Sequence, residues 1–312
     1  MQKEILFTLK SPYRDDLRIQ GYRFGKGEKA ACIVGALRGN EVQQLYVCSQ
    51  IVKTLSELER RGNIVHNKEI LVIPSVNSAS LNIGSRFWAM DKTDINRMFP
   101  GYNMGETTQR IAAGLFESIK GYNYGIQFAS FYMQGDFIPH VRMMDTGYQN
   151  PSLANLFGLP YVVIRSPKPY DTTTLNYNWQ IWETNAFSLY TTGTYNIDRE
   201  GAEKGRQAML NFMINEGILL GDETENVVSS TISDEELISV RAAKAGLFER
   251  YVKTGRFVQK GELMARVLDP YDGEVRHVVH APESGVVFFA YNQPMTYANT
   301  AVFKLIPEDK TV

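Results

Sequence analysis

The stretch Ala30-Ala31-Cys32-Ile33-Val34-Gly35-Ala36-Leu37, followed by Arg38-Gly39-Asn40-Glu41 and a helical pattern over 42–58, decides the fold class. An apolar run closed by small residues, a glycine-containing turn and a 3.6-period helix make one strand-loop-helix step of an α/β sheet. A second step uses Glu69-Ile70-Leu71-Val72-Ile73-Pro74 as its strand. Helical pattern returns over 107–119 and 199–216, an apolar-aromatic segment covers 124–133, and 161–164 and 186–190 read as further strands. This alternation predicts an α/β domain, and in such sheets ligands bind where strands end.

At 312 residues the chain exceeds the usual single-domain size, so one large domain and one small one are expected. Its composition, 44% hydrophobic and 12% aromatic with a formal net charge of -1, is that of a soluble globule. So balanced a charge argues against nucleic acid or an anionic membrane as partner. The first ten residues, Met-Gln-Lys-Glu-Ile-Leu-Phe-Thr-Leu-Lys, lack the apolar core of a signal peptide, and no run reaches membrane-span length, so a cytoplasmic protein is expected. Cys32 and Cys48 are too few for a disulfide framework or a thiolate zinc site, and both read as buried free thiols.

A second stretch carries the functional signal. Asp91-Lys92-Thr93-Asp94-Ile95-Asn96-Arg97-Met98-Phe99-Pro100-Gly101 places an acceptor, an amide and a fixed cation just before a Phe-Pro-Gly turn, which suits a loop holding a carboxylate or amide. This stretch resembles the Asp-x-Asn-Arg-x-Phe-Pro-Gly signature of the succinylglutamate desuccinylase and aspartoacylase family. The resemblance extends over roughly 30–307 and implies a zinc carboxypeptidase-like fold, a mixed sheet flanked by helices. It also implies zinc-dependent cleavage of N-acyl groups from amino acids.

The family's functional positions carry over unevenly. Its first zinc turn reads Gly-x-His-Gly-x-Glu; here it reads Gly35-Ala36-Leu37-Arg38-Gly39-Asn40-Glu41, so Glu41 is kept and Arg38 stands at the first ligand histidine. The second ligand histidine corresponds to Ala129 in Ile126-Gln127-Phe128-Ala129-Ser130, and the catalytic glutamate to Tyr190 in Tyr190-Thr191-Thr192-Gly193. Zinc needs three or four N, O or S ligands and hydrolysis needs a base. One glutamate is not enough. A guanidinium at a ligand position would repel a cation and can pair with Glu41, so Arg38 is expected in the metal's place. No residue is assigned as catalytic, and no cofactor is expected unless the site has been rebuilt around zinc. Among possible substitutes, His66 reads as a surface histidine and His140 as a structural one bordering the cleft. Glu183 lies seven residues from Tyr190, about 23 Å along an extended strand.

The resemblance implies a surviving grip. Arg86, in Gly84-Ser85-Arg86-Phe87-Trp88, together with Asn96 and Arg97 would hold an acyl or amino-acid carboxylate, with Arg38 adding to the field. Two readings follow. In the first, a pseudoenzyme binds a small carboxylate or N-acyl amino acid, or serves as a regulatory or scaffolding subunit beside an active paralogue or in a homo-oligomer. In the second, a metal-dependent deacylase of N-acyl amino acids, or of related amides or esters, uses a rebuilt site. Three missing groups favour the first.

Beyond an α/β domain over 1–221, an acidic, Ser/Thr-rich connector is expected over 222–237, and then the sequence repeats itself within 238–312. Val240-Arg241-Ala242 with Gly246 matches Val279-His280-Ala281 with Gly285, and Leu263 and Val267 fall on Val302 and Ile306, always 39 residues apart. Two β units joined by Asp269-Pro270-Tyr271-Asp272-Gly273 predict an all-β barrel-sandwich of biotinyl-lipoyl type, of the kind the family carries at its C-terminus. No Met-Lys-Met marks an attachment turn, and a lid or oligomerising role is expected.

Overall fold

A computed structural model describes residues 1–13, 15–222 and 229–311. The chain starts with an antiparallel hairpin, β1 (Gln2–Leu9) and β2 (Leu17–Gly25), which the sequence reading had not separated out. Its second strand alternates Leu17 and Ile19 inward with Arg18 outward, the period of a half-buried strand. Next come β3 (Glu28–Ala36), α1 (Val42–Arg60), β4 (Lys68–Ser75), the single turn α2 (Ser78–Leu81) and α3 (Thr107–Ile119). The rest of this unit is β5 (Tyr124–Phe128), β6 (Gly135–Phe137), β7 (His140–Met144), α4 (Pro151–Ala154), β8 (Tyr161–Arg165), α5 (Leu175–Ile181), β9 (Asn185–Tyr190) and α6 (Arg199–Asn215).

These strands build a mixed sheet of nine in the order β1-β2-β4-β3-β5-β9-β7-β8, closed at its far edge by β10 (Ser230–Ser233). The centre, β4-β3-β5-β9, is parallel. Helices cover both faces, which is why β3 is a continuous apolar run rather than an alternating one. Ala31 and Ile33 point to α1 and α6, among Val47, Ile51, Leu55, Met209 and Phe212. Cys32 and Val34 point the other way, towards α3 and α5, among Ile111, Leu115, Phe116, Leu175 and Trp179. The two cysteines are buried and unpaired, and burial pushes both thiols up.

The acidic connector expected over 222–237 is not featureless. Residues 223–228 lie outside the described residues, but Ser230–Ser233 pairs in parallel with β8. Ile232 supplies the buried anchor, inserted between Tyr161, Val163 and Phe288. A four-residue strand with one apolar side chain is too short to stand out by period, so its polar composition masked it.

The C-terminal part contains β11 (Ile238–Arg241), β12 (Gly246–Arg250), β13 (Phe257–Val258), β14 (Leu263–Leu268), β15 (Val275–His280), β16 (Gly285–Tyr291), β17 (Met295–Thr296) and β18 (Ala301–Pro307). They form two antiparallel sheets, β11-β18-β16-β13 and β15-β14-β12-β17. Shifting by 39 residues takes β11, β12, β13 and β14 onto β15, β16, β17 and β18, and turns each sheet's pairings into those of the other. The repeat therefore exchanges strands between its halves, with Val240, Val267, Val279 and Val302 sharing one core. β6 of the large unit adds to β16, and Phe137, Tyr161, Phe288, Phe289 and Ile306 form a joint core. No helix among the described residues is long and apolar enough to cross a membrane.

Candidate functional site

The loop after β3 is pinned by close packing: at Gly39 a Cβ would come within 2.2 Å of the Ser80 backbone, so the Arg38–Glu41 turn lies flat against α2. That contact sets Arg38 and Glu41 in the interior, with 4% and 0% of their side chains exposed. Arg38 donates from Nη1 to Glu41 Oε1 at 2.9 Å and from Nε to both Asp94 oxygens at 2.9 Å. Glu41 Oε2 accepts the Leu37 and Arg38 backbone N–H groups at 2.9 and 3.0 Å, and Oε1 also accepts the Ser130 hydroxyl. Asp94 further accepts Asn96 N–H at 3.0 Å, capping the short turn Ile95–Arg97, and Arg86 Nη2 at 3.2 Å. Every oxygen of the two carboxylates is engaged. Burial works against charge on Arg38, but Glu41 and Asp94 outweigh it and hold the guanidinium above its ordinary range. At Arg86 burial wins, helped by repulsion from Arg38, and draws its guanidinium down.

A cavity of about 80 Å³ opens beside this cluster, large enough for a small molecule and too small for a folded segment. Arg38, Arg86, Asn96, Arg97, Ala129 and Tyr190 all line it, so the positions singled out in the sequence converge; Glu41 lies behind Arg38. The grip residues are also braced. Asn96 Oδ1 accepts Leu175 N–H at 3.0 Å at the start of α5. Arg97 Nη1 donates to the Tyr170 carbonyl at 2.6 Å and to Asp171 at 3.2 Å.

Several polar lining residues escaped the sequence reading, among them Gln127, Arg142, Arg165, Asn176 and Ser188. For Gln127 and Arg142 the signal is a polar side chain inside an otherwise apolar strand, as in Gly125-Ile126-Gln127-Phe128 and Val141-Arg142-Met143. Register brings them together. Gln127 on β5 pairs with Ser188 on β9, and Ser188 with Arg142 on β7, so three polar residues stand in one row on one face. Asn176 of α5 lines the same cavity.

Charge in and behind the wall falls into three groups. Arg38 and Arg86 face Glu41 and Asp94. Arg97 and Arg165 share Asp171, the latter at 2.9 Å. Arg142 and Lys304 share Asp234, at 3.7 and 3.4 Å. The first group is neutral and each of the others carries one surplus cation, so two positive charges are uncompensated. Burial would raise Asp234, but Arg142 and Lys304 pull its carboxyl below the usual range. Lys304 is itself drawn down by burial, with Arg142 repelling it and Asp234 opposing, which fits one anion divided between two cations.

His140 is fully buried, donates from Nδ1 to the Ile138 carbonyl at 2.8 Å and stacks on Tyr190 at 4.8 Å. Burial and then Arg142 press its pKa well below the ordinary histidine value, so it is neutral and structural. Glu183 is exposed in the turn before β9. The residues do not fit zinc. Arg38 blocks Glu41, Ala129 and Tyr190 offer no ligand, and among the described residues no cluster of three histidine, cysteine or carboxylate side chains could hold a metal ion.

The model of the succinylglutamate desuccinylase/aspartoacylase catalytic domain matches residues 28–215, more than half of the chain. The chain belongs to this family. Its solved structural neighbours agree in fold. A succinylglutamate desuccinylase from Silicibacter sp. is 22% identical with a TM-score of 0.80, covering 97% of this chain and 94% of its own. The product-bound ectoine utilization protein EutE (DoeB) from Ruegeria pomeroyi is 20% identical with a TM-score of 0.77, over 93% and 89%. A succinylglutamate desuccinylase/aspartoacylase from Rhodobacter sphaeroides is 19% identical with a TM-score of 0.75, again over 93% and 89%. No curated protein sequence matches the chain.

Proposed function

We propose that this family member does not carry out zinc-dependent hydrolysis and uses its cavity to bind a small carboxylate, such as an N-acyl amino acid, as a pseudoenzyme. The observation that carries this reading is the Arg38 guanidinium held between Glu41 and Asp94, because it occupies the one remaining ligand carboxylate with a permanent cation. Hydrolysis in this family would need a metal to polarise the carbonyl and a base to take a proton from water. Here an arginine, an alanine and a tyrosine stand at those positions. The surplus positive charge around Asp171 and Asp234 supports an anionic ligand, and Arg86, Asn96 and Arg97 support its placement at the mouth formed by the Asp91–Gly101 loop.

Thermal denaturation tests the reading. N-acyl amino acids and dicarboxylates should raise the melting temperature, and Arg97→Ala should remove that shift while leaving a folded protein. A lost charged hydrogen bond is worth about 1.5 to 3 kcal/mol, or one to two decades of affinity. If no carboxylate shifts the parent, the cavity is not a carboxylate site. If the parent releases free amino acids from N-acyl precursors, the rebuilt-hydrolase reading replaces this one.

A further inference from the structure

The outer face of the sheet β15-β14-β12-β17 carries apolar residues where a sheet that meets only water carries polar ones. Met295 on β17 pairs with Leu247 on β12, Leu247 with Leu268 on β14, and Leu268 with Val275 on β15, so the four make one row across all four strands. Phe248 and Val267, one residue along, are buried in the core, so the row points the other way. Met295, Leu247 and Val275 are 54%, 38% and 47% exposed, and Leu268 is half-buried. Exposed tyrosines stand at both ends, Tyr297 past β17 and Tyr271 in the turn between β14 and β15. Contiguous exposed apolar surface of this kind marks a contact site.

The repeat sharpens the point. Shifted by 39 residues, Glu249 falls on Phe288, whose side chain turns away from the shared core of the two sheets and is buried with Phe137, Tyr161 and Ile232 against the large unit. One half of the repeat thus has its outer face covered by protein, and the other has its outer face open. Two residues along from Leu247 and Leu268, the cross-strand pair Glu249 and Arg266 adds one charge of each sign to the open face. Tyr251 lies between them, its hydroxyl donating to Glu249 and its ring 5.8 Å from the Arg266 guanidinium.

We propose that a second copy of this chain covers this face, sheet against sheet, about a twofold axis parallel to the strands and midway between β12 and β14. A surface pairs with its own copy when the axis makes it self-complementary. This axis lays β12 on the partner subunit's β14, so Leu247 meets the partner's Leu268, Met295 meets the partner's Val275, and Glu249 opposes the partner's Arg266. The last contact occurs twice. An axis across the strands would stack Leu247 on itself and set neither charge against its opposite. Aligned sheets pack about 10 Å apart with a rotation of about 30°, within reach of these side chains. None of these residues lines the cavity, so dimerisation and carboxylate binding stand or fall separately.

Sedimentation of the full chain tests the interface. The parent should run at twice the chain mass at about 0.1 mM, and Glu249→Arg or Arg266→Glu alone should weaken association about tenfold or more, since each sets like charges opposite one another twice. An equimolar mixture of the two variants should restore it, because their faces are complementary again. That recovery cannot come from a repair within one chain. Leu247→Ser, at the centre of the row, should also give a monomer with the circular dichroism of the folded parent, which covers charge variants that do not fold. A parent that stays monomeric overturns the proposal. So does a dimer that none of these changes weakens, or a mixture that associates no better than its components.

Discussion

Two polar clusters sit on one side of one sheet and are built in opposite ways. Around Arg38, each carboxylate oxygen of Glu41 and Asp94 has a donor, two of them backbone N–H groups from the arginine's own turn. Around Arg142, Nε, the Gln127 amide nitrogen and both polar atoms of Asn176 make no hydrogen bond, and Nη2 has only Asp234 at 3.7 Å. The difference lies in how far each cluster is closed by the protein itself. A buried ion pair with all its partners in place is a finished object, and nothing of it is left over for a metal. A buried row with donors left open is not closed in this way.

The contrast breaks most visibly at Arg38. Arg38→Ala strands Glu41 and Asp94 in the interior, and loss of one partner from a buried pair costs about 3 to 5 kcal/mol. Chemical denaturation should therefore show a large fall in the midpoint, and a variant as stable as the parent would mean that the cluster is hydrated and not closed.

A smaller effect belongs to acid. His140 is held neutral by burial and by Arg142, with Lys304 also repelling its charge, against the opposing pull of the Ile138 carbonyl and Asp234. Its folded pKa lies below the unfolded value of 6.5, so the unfolded chain takes up the proton first. The stability this group contributes is complete above that value and falls as the pH drops, by about 1.4 kcal/mol per unit for one proton. Denaturation between about pH 7 and pH 5 should show this slope in the parent. In His140→Gln it should be lost, and an unchanged slope would assign the acid sensitivity elsewhere.

Smallest is the effect of Gln127→Leu on the unliganded protein. It removes an unpaired buried donor at similar volume, so stability should hold or rise by about 1 kcal/mol. A fall as large as that at Arg38 would erase the distinction between the two clusters.

Sequence reading reached one of these clusters and not the other. Arg38 and Glu41 share one turn, so their pairing could be anticipated, whereas Asp94 joins them from a loop 56 residues further along. Gln127, Ser188 and Arg142 are adjacent only through the register of β5, β9 and β7, and β7 runs antiparallel to β9, a reversal that no local pattern announces. The α/β class and the repeat were legible because burial on both faces of β3 and strand exchange at a constant offset leave marks in apolar spacing. The place of Tyr190 between His140 and Arg142 depends on contacts across strands, which its own stretch of sequence does not announce.

The central claim is that Arg38 holds the position a metal would need, and zinc retention tests it most directly. Parent protein equilibrated with excess zinc and then desalted should retain well under one equivalent, and a chelator should leave its melting temperature unchanged. The double variant Arg38→His, Ala129→His should retain close to one equivalent under the same treatment, with each single change gaining little. Stoichiometric zinc in the parent, lost with a drop in melting temperature on chelation, would contradict the account.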